Sequence, residues 1–498
     1  LNFYPEADES GMGKSAMVLN PRPGLSLFAQ VGGAAQVRGE WSINARMFTV
    51  IDATLYEVLS SGALNAIGSV GNDGNLVSMV ASPQQLLVAS VGNVWLYQLQ
   101  TESGYANATI APTGTLTAGQ FIQIPASTFP GPVTQVGLCD SFFIALIAST
   151  EQFFVTTQLD ATDWTDEGSK IISTFPDNVV SMVIDHREIW LLGAKSSEPQ
   201  YDSGNIFPFD SVPGGFIEQG CAAQFATVQL DNSIFWIGAR NDQGGLVGWR
   251  ANGYTPQRIS NHAVENSWNS YPTCADARAF SYSLGGHSFW HINFPSAQAT
   301  WVYDVATGLW HEQSFYNTNT GTHQAALPQC HTYQFGKHLV GDRQSGMIYQ
   351  VQLPVVQGNG WNFVTDNGAL IHRIRKAPHI STEQEWIYHN MIQIDLEVGV
   401  GPQPPLYNGD GSARGPKLTL SWSDDGGKNF PLAFDLDCGQ AGNYKRRVMK
   451  WRLGRSRDRV YQIQCSDPVP WRVTDAYLQA SGMQRPQKRL AKQYSEVA

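Results

Sequence analysis

The apolar positions of this chain fall in short runs rather than in helical stripes. Phe48 to Ile51, Leu55 to Leu59 and Leu76 to Val80 each have the length of one strand and are bounded by turn-forming residues. Similar runs recur at Leu86-Leu87-Val88, Phe142-Phe143-Ile144, Ile189-Trp190-Leu191, Ile234-Phe235-Trp236, Ser288-Phe289-Trp290 and His338-Leu339-Val340. Their starts lie roughly 45 to 56 residues apart, the length of one propeller blade. Several are followed by a second run closing on an aromatic, as in Val94-Trp95-Leu96-Tyr97 and Trp301-Val302-Tyr303-Asp304. Asp304 to Trp310 reads as strand, turn, strand at a blade edge, and Asn72-Asp73-Gly74-Asn75 between two runs predicts a hairpin. No blade buries both faces alone, so the ring must close on itself. The recurrences predict an all-β chain with a β-propeller of six blades, seven being the second choice. An irregular stack of sheets is the plainer alternative.

The pattern changes at both ends. Residues 1–40 are polar, with Pro21, Pro23 and Gly24 and little periodicity, which predicts an extended arm laid over the C-terminal part. Residues 41–375 form the propeller region, and Ser260 to Trp268 is the one short helix expected inside it. The spacing breaks near Val355 to Asn362, and Arg373, Arg375, Lys376 and Pro378 mark a boundary. In residues 376–498, Ile392 to Val398 alternates with period two, and further strands are predicted at Leu418 to Trp422, Val448 to Leu453, Val460 to Ile463 and Trp471 to Tyr477. This part reads as a C-terminal β-sandwich with a Gly/Pro-rich loop from Gly399 to Gly415 and a basic tail.

Composition sharpens the picture. A chain of 498 residues exceeds what one small core needs, and 48 glycines, 11% aromatics and only 15% charged residues favour β-structure over helical bundles. A net charge of -10 excludes a protein that grips nucleic acid over most of its surface; an acidic wall suits something DNA slides past. The six cysteines, at 139, 221, 274, 330, 438 and 465, have no metal-site or disulfide spacing and are expected as buried free thiols. Phe142 to Ala148, the longest apolar run, is far too short to cross a bilayer, so no membrane insertion is signalled. No hydrophobic leader follows Leu1, which makes cytoplasmic synthesis the expectation.

Candidate chemistry is sparse. Gly11-Met12-Gly13-Lys14-Ser15 suggests a phosphate loop, but the motif needs Gly where Asp8 stands, and no strand leads in. Asp163/Asp166 and Asp424/Asp425 read as solvated turn acids. His287 and His291, four residues apart, suit a metal only on a helix, and His311-Glu312 lacks the second histidine of a zinc-protease motif. No catalytic residue, metal site or cofactor is therefore assigned. Ser423, Asp425, Gly427 and Phe430 fit an Asp-box hairpin, whose role is structural. Sialidases carry several such boxes, which makes glycan binding or glycan hydrolysis the alternative reading. The only dense basic run holds Lys445, Arg446, Arg447, Lys450, Arg452, Arg455, Arg457 and Arg459. Lys445, Arg446, Arg447, Arg452, Arg455, Arg457 and Arg459 are the candidate interface to a partner protein or neighbouring subunit, with DNA phosphates as the competing ligand.

Asp185 to Ala223 is the most informative stretch. An apolar strand ends in Leu192-Gly193, and about thirty residues follow that look like neither strand nor helix, a loop of functional or interfacial length. Its order of features is Ser197-Glu198, Tyr201-Asp202-Ser203-Gly204, Phe207-Pro208-Phe209 and Ile217-Glu218-Gln219-Gly220-Cys221. In that order the chain resembles the packaged-DNA stabilisation, or tail nozzle, protein family of short-tailed double-stranded DNA phages. Pro199 and Gln200 depart from the hydrophobic and aromatic residues expected there. The resemblance extends to Asn2-x-Tyr4-x-Glu6, Pro23-Gly24-Leu25, Arg38-Gly39, Leu453 to Val460 and Ser466-Asp467-Pro468-Val469. It marks Glu198, Tyr201, Gly204, Phe209, Glu218, Gly220 and Cys221 as the family-motif loop. It implies a non-enzymatic virion component assembled in the host bacterial cytoplasm, a homohexameric ring below the portal-adaptor that extends the DNA channel, retains the genome and gates its ejection. The partners implied are the portal-adaptor, a needle or plug, fibres or spikes, and packaged double-stranded DNA in the channel.

Overall fold

The fold is that of a computed structural model, which describes every residue except 9–14, 34, 165–168, 172–176, 240–244, 358–359, 383–384, 403–404 and 483–498. Gly11 to Lys14 of the loop-like sequence, Asp166 and the basic tail thus lie outside the described residues. Seven units of four antiparallel strands, the seventh sheet extended to six by Thr365–Asp366 and Ala369–Leu370, follow one another, with first strands Val37–Ile43, Ser78–Ala81, Val133–Cys139, Val179–Asp185, Val228–Leu230, Arg278–Leu284 and Pro328–Gln334. Each first strand touches the next around an axis, and the seventh touches the first, so the ring is closed. The expected six is therefore one short. The uncounted unit has its second strand at Arg46–Ile51, so close before the next unit's Gln85–Ser90 that it broke the spacing on which the recurrence rested.

Closure is made by distant sequence. The seventh blade takes Pro328–Gln334, Lys337–Asp342 and Met347–Gln352 from its own stretch, and its fourth strand is Gly24–Gln30, with Leu25 opposite Val351. The first forty residues are thus not one extended arm. Gly24 has no alternative residue here, because a Cβ on it would sit 2.3 Å from the Phe363 backbone. Upstream, Phe3–Ala7 and Met17–Pro21 form a hairpin that joins a sheet of the C-terminal domain through Leu19 and Val473.

That domain is a two-layer sandwich. One sheet runs Phe3–Ala7, Met17–Pro21, Val473–Gly482, Ile387–Leu396, Val448–Trp451, and the other runs Arg373–Lys376, Asp458–Cys465, Lys417–Ser423, Leu432–Asp437. Ile392, Ile394, Leu418, Leu420, Tyr461 and Trp471 fill the space between them. Gly399 to Gly415 holds a small pair of strands, Leu406–Tyr407 and Ala413–Arg414. Between blades the core is aromatic: Trp236, Trp268 and Trp290 are fully buried, and each such side chain contributes about 1.5–3 kcal/mol by leaving water. The helix spans His262–Asn269, capped by the Asn261 side chain on the Val264 N–H.

Asn72 to Asn75 is not a hairpin but the link between the first and second blades. Arg38, fully buried, dictates its path. Its guanidinium donates to the carbonyls of Gly71 (2.6 Å), Asn75 (2.5 Å) and Asp52 (3.1 Å) and to Asp73 Oδ1 (2.6 Å). Two residues on, Glu40 faces a different environment: it is 8% exposed, and neither carboxylate oxygen has a hydrogen-bond partner among the described residues. It borders an axial cavity of about 240 Å3 also lined by Ser78, Gln135, Met182, Phe280 and Gln329. Burial pushes its carboxyl well above the usual carboxylate range. A group raised in this way favours the fold below its unfolded pKa, and that contribution is lost as pH rises. Glu40→Met is expected to stabilise the protein by about 1–3 kcal/mol at pH 8 and by less at pH 5. Urea midpoints at the two pH values measure this, and a destabilised variant at pH 8 would refute it.

Candidate functional site

Three sets of residues have the placement of working parts: the family-motif segment, the cationic edge of the sandwich, and a clasp between the domains. The first is not the long loop expected. Ser197–Asp202 and Phe209–Ser211 are the third and fourth strands of the fourth blade, paired as Trp190 with Pro199 and Tyr201 with Asp210. The sequence SEPQYD hid them, because these positions are filled by polar residues that bond within the blade. Glu198 is 4% exposed, and its carboxylate accepts from Gln200 Nε2 (2.6 Å) and from the Ser211 hydroxyl. Phe209 is fully buried edge-on to Phe142 at 5.8 Å. Gly204 sits at φ +70 in a turn where its N–H donates to Asp202 Oδ1, and Tyr201 is half exposed.

The segment then returns over the blade. Ile217 bridges Ser197, and the Cys221 N–H donates to the Gly193 carbonyl at 2.7 Å. A Cβ at Gly220 would stand 2.3 Å from the Ala194 carbonyl group, so only glycine permits this crossing. The Cys221 thiol is buried, pushed up to about 12 by desolvation, and bonded to the Ala223 carbonyl. Glu218 is exposed beside it. These residues form the strap that carries the chain from the fourth blade to the fifth. Their arrangement holds blades together and presents no cluster for chemistry.

The Asp-box residues cap the hairpin between Lys417–Ser423 and Leu432–Asp437. Asp425 accepts from the Ser423 hydroxyl (2.5 Å) and from the Lys428 and Asn429 N–H groups, the Ser423 hydroxyl being the largest reason its carboxyl lies well below the usual range. Gly427 donates to Ser423 Oγ at 2.9 Å, and the Lys376 ammonium lies 5.1 Å over Phe430.

The basic run lies along the free edge of the first sandwich sheet. Val448–Trp451 and Arg455–Ser456 pair with Ile387–Leu396, and among the described residues nothing pairs with their other side in that sheet. Lys445, Arg446, Arg447, Arg452, Arg455 and Arg457 are exposed. Arg446 lies 3.2 Å from Asp437, Arg447 donates to Gln393 at 2.9 Å, and the Arg455 and Arg457 guanidinium groups sit 4.6 and 4.9 Å over the Trp386 ring. Arg459 corrects the expectation. It is 2% exposed, bound by two nitrogens to Asp424 (2.6 and 2.8 Å) and donating to the Leu453 carbonyl, so it braces the interior and offers nothing to a partner. Strand alternation is the reason, since it turns this position toward Trp422 and Tyr461.

The clasp was not foreseen. Arg22 reaches into the junction of propeller and sandwich and forms a two-pronged pair with Asp366, at 2.9 and 2.5 Å. The two side chains are 5% and 2% exposed. The same guanidinium donates to Asn2 Oδ1 and to the Pro23 and Ser314 carbonyls, while Ser314 N–H donates to Asn2 Oδ1 at 2.8 Å. Four separate stretches of chain are thus tied at one ion pair. The only local signal was an arginine between two prolines.

A family model described as Bacteriophage P22 Gp10, beta-propeller, matches residues 1–355, and its companion, Bacteriophage P22 Gp10, beta-sandwich, matches residues 372–481. The chain belongs to this family. The family's two parts coincide with the ring and the sandwich described above, and the clasp residues Arg22 and Asp366 lie one in the first matched range and one between the two. A search of curated proteins finds no match. Among solved structures, the N-terminal domain of Nup159 is similar at 10% identity and a TM-score of 0.42, over 70% of this chain and 98% of that one. The extracellular domain of BT4673 from B. thetaiotaomicron has 9% identity and a TM-score of 0.44, over 84% of this chain and 48% of that one. YCF48 from Cyanidioschyzon merolae has 11% identity and a TM-score of 0.41, over 66% and 99%. Likenesses this distant say nothing about what the P22 Gp10 family does.

Proposed function

We infer from membership of the P22 Gp10 family that the chain is a structural protein of the phage tail and a component of the virion. We propose that it is the tail nozzle: a homohexameric ring below the portal-adaptor that extends the DNA channel, retains the packaged genome and gates its ejection. It is assembled in the bacterial cytoplasm and carries a needle or plug, fibres or spikes beneath it. The observation that carries the reading is the exposed cationic edge of the sandwich on a chain of net charge -10. Acidic walls repel a passing duplex, whereas a single strip of Lys445, Arg447, Arg452, Arg455 and Arg457 gives a docking surface for an acidic neighbour. Trp451, 54% exposed on the same edge, supplies the apolar anchor such a contact needs.

Native mass spectrometry of the protein with and without its portal-adaptor complex tests this. Six copies gathered on the adaptor are expected, and Arg455→Glu with Arg457→Glu is expected to weaken that assembly at least tenfold, about 1.4 kcal/mol or more, without changing the melting temperature. A chain that ignores the adaptor, or a double variant that assembles like the parent, defeats the proposal.

A further inference from the structure

Register decides what the outer surface of the first sandwich sheet carries. On Ile387–Leu396 the buried positions are Ile387, His389, Ile392 and Ile394, the register shift after His389 keeping them on one side. Tyr388, Met391, Gln393 and Asp395 therefore point away from the second layer. Met391 lies opposite Trp451 on one neighbouring strand and Gln479 on the other, and Gln393 lies opposite Met449. Tyr388, Met391, Met449 and Trp451 thus make one apolar floor across the strands. Trp451 is 54% exposed and the other three are partly exposed, and a connected apolar surface of this kind marks a contact site.

One long side of the floor is cationic. Arg447, Arg452 and Arg455 are exposed along it, Arg455 stands opposite Tyr388, and Arg447 reaches inward to donate to Gln393 at 2.9 Å. At the end away from Arg455, Asp395 and Asp475 face each other across the strands, and a nucleic acid laid on the floor would meet both carboxylates. Acidic side chains of a protein answer the rim without reaching them. The dimensions set the shape of the occupant. The outer two of the three strands stand about 10 Å apart at ~4.8 Å per strand, the diameter of a helix with its side chains. From Tyr388 to Asp395 the face runs about 23 Å at ~3.3 Å per residue, a length that about fifteen helical residues cover at ~1.5 Å each. On the reading of the cationic edge as the adaptor-side surface, we propose that this face receives an amphipathic helix of the adaptor. Its apolar stripe lies on Tyr388, Met391, Met449 and Trp451, and its acidic flank lies on Arg447 and Arg455. The two methionines let the floor adjust to the ridges of the helix, which covers the sheet as a further layer.

The test places a photo-cross-linking phenylalanine analogue at Gln479, exposed on the floor, and in a second protein at Ala433, exposed on the other layer. Each full chain is irradiated with the portal-adaptor complex, and the joined peptides are read by mass spectrometry. From position 479 the linked adaptor residues are expected three or four apart, the spacing of one helix face, and none is expected from position 433. Met391→Glu with Met449→Glu puts carboxylates on the floor and is expected to weaken assembly on the adaptor at least tenfold, about 1.4 kcal/mol, with an unchanged melting temperature. If that variant does not fold, the cross-links decide alone. Adaptor that gathers the protein yet is joined at every second residue, or not at all, overturns the helix and leaves the nozzle reading standing. Cross-links to a second copy of the chain do the same. A protein that never assembles on the adaptor defeats the nozzle reading and the helix with it.

Discussion

Replacing Arg22 by alanine is expected to destabilise the junction of propeller and sandwich by about 3–5 kcal/mol, the range for breaking a buried ion pair from one side. The size comes from what remains. Asp366, 2% exposed in its side chain, loses both its prongs, while Asn2 Oδ1 and the Pro23 and Ser314 carbonyls lose a donor. Arg22→Lys should recover only part, because an ammonium cannot match the two carboxylate oxygens and three further acceptors at once. Arg22→Met with Asp366→Leu removes both charges together and is expected to be far milder than either single change. Denaturant unfolding followed by tryptophan fluorescence reads all three, with the loss seen in the first transition of a two-domain chain. An Arg22→Ala protein within 1 kcal/mol of the parent, or a double variant as damaged as the single, would sink the clasp.

The clasp also shows what the sequence could not display. Arg22 and Asp366 are separated by 344 positions, and neither lies in a pattern that marks it as buried. The same distance hid the fourth strand of the seventh blade, since Gly24–Gln30 has no local sign that its partner is Met347–Gln352. Second strands were legible because they are buried on both faces: Phe142–Ile147 and Gln85–Ser90 are buried at every position and read as unbroken apolar or near-apolar runs. Outer strands such as Ser197–Asp202 were not, because the hydrogen bonds of Glu198 and Gln200 do the work that apolar contacts do further in. The basic run was legible as a run, yet the exposed Arg457 lies just before the strand Asp458–Cys465, whose inward face takes Arg459 together with Tyr461 and Ile463.

Acid is expected to unfold the protein cooperatively, with a midpoint between about pH 4 and 5, because four of its histidines are built in as neutral rings. His291 and His311, in the sixth blade, and His331, in the seventh, are each held down to about 3, chiefly by burial. His389 in the sandwich is held down to about 4, again by burial first. His291 has no partner for either ring nitrogen among the described residues and stacks on Phe280 at a centroid distance of 4.4 Å. Below pH ~6.5 the unfolded chain takes up these protons and the folded chain does not, so stability is complete above that pH and falls as pH drops. Four such groups steepen the fall by up to about 5 kcal/mol per pH unit, against the roughly 5–15 kcal/mol that holds a domain together. Glu40 and Asp342, raised by burial, act in the opposite sense and flatten the slope without reversing it. His291→Phe keeps a stacked ring and removes one titration, so its midpoint should move to lower pH while its stability at pH 8 changes little. Circular dichroism in the aromatic region across pH 8 to 3 measures both proteins. A parent that stays folded with an unchanged melting temperature down to pH 3.5, or a His291→Phe variant that follows the parent's curve, would show that these rings do not set the acid limit of the fold.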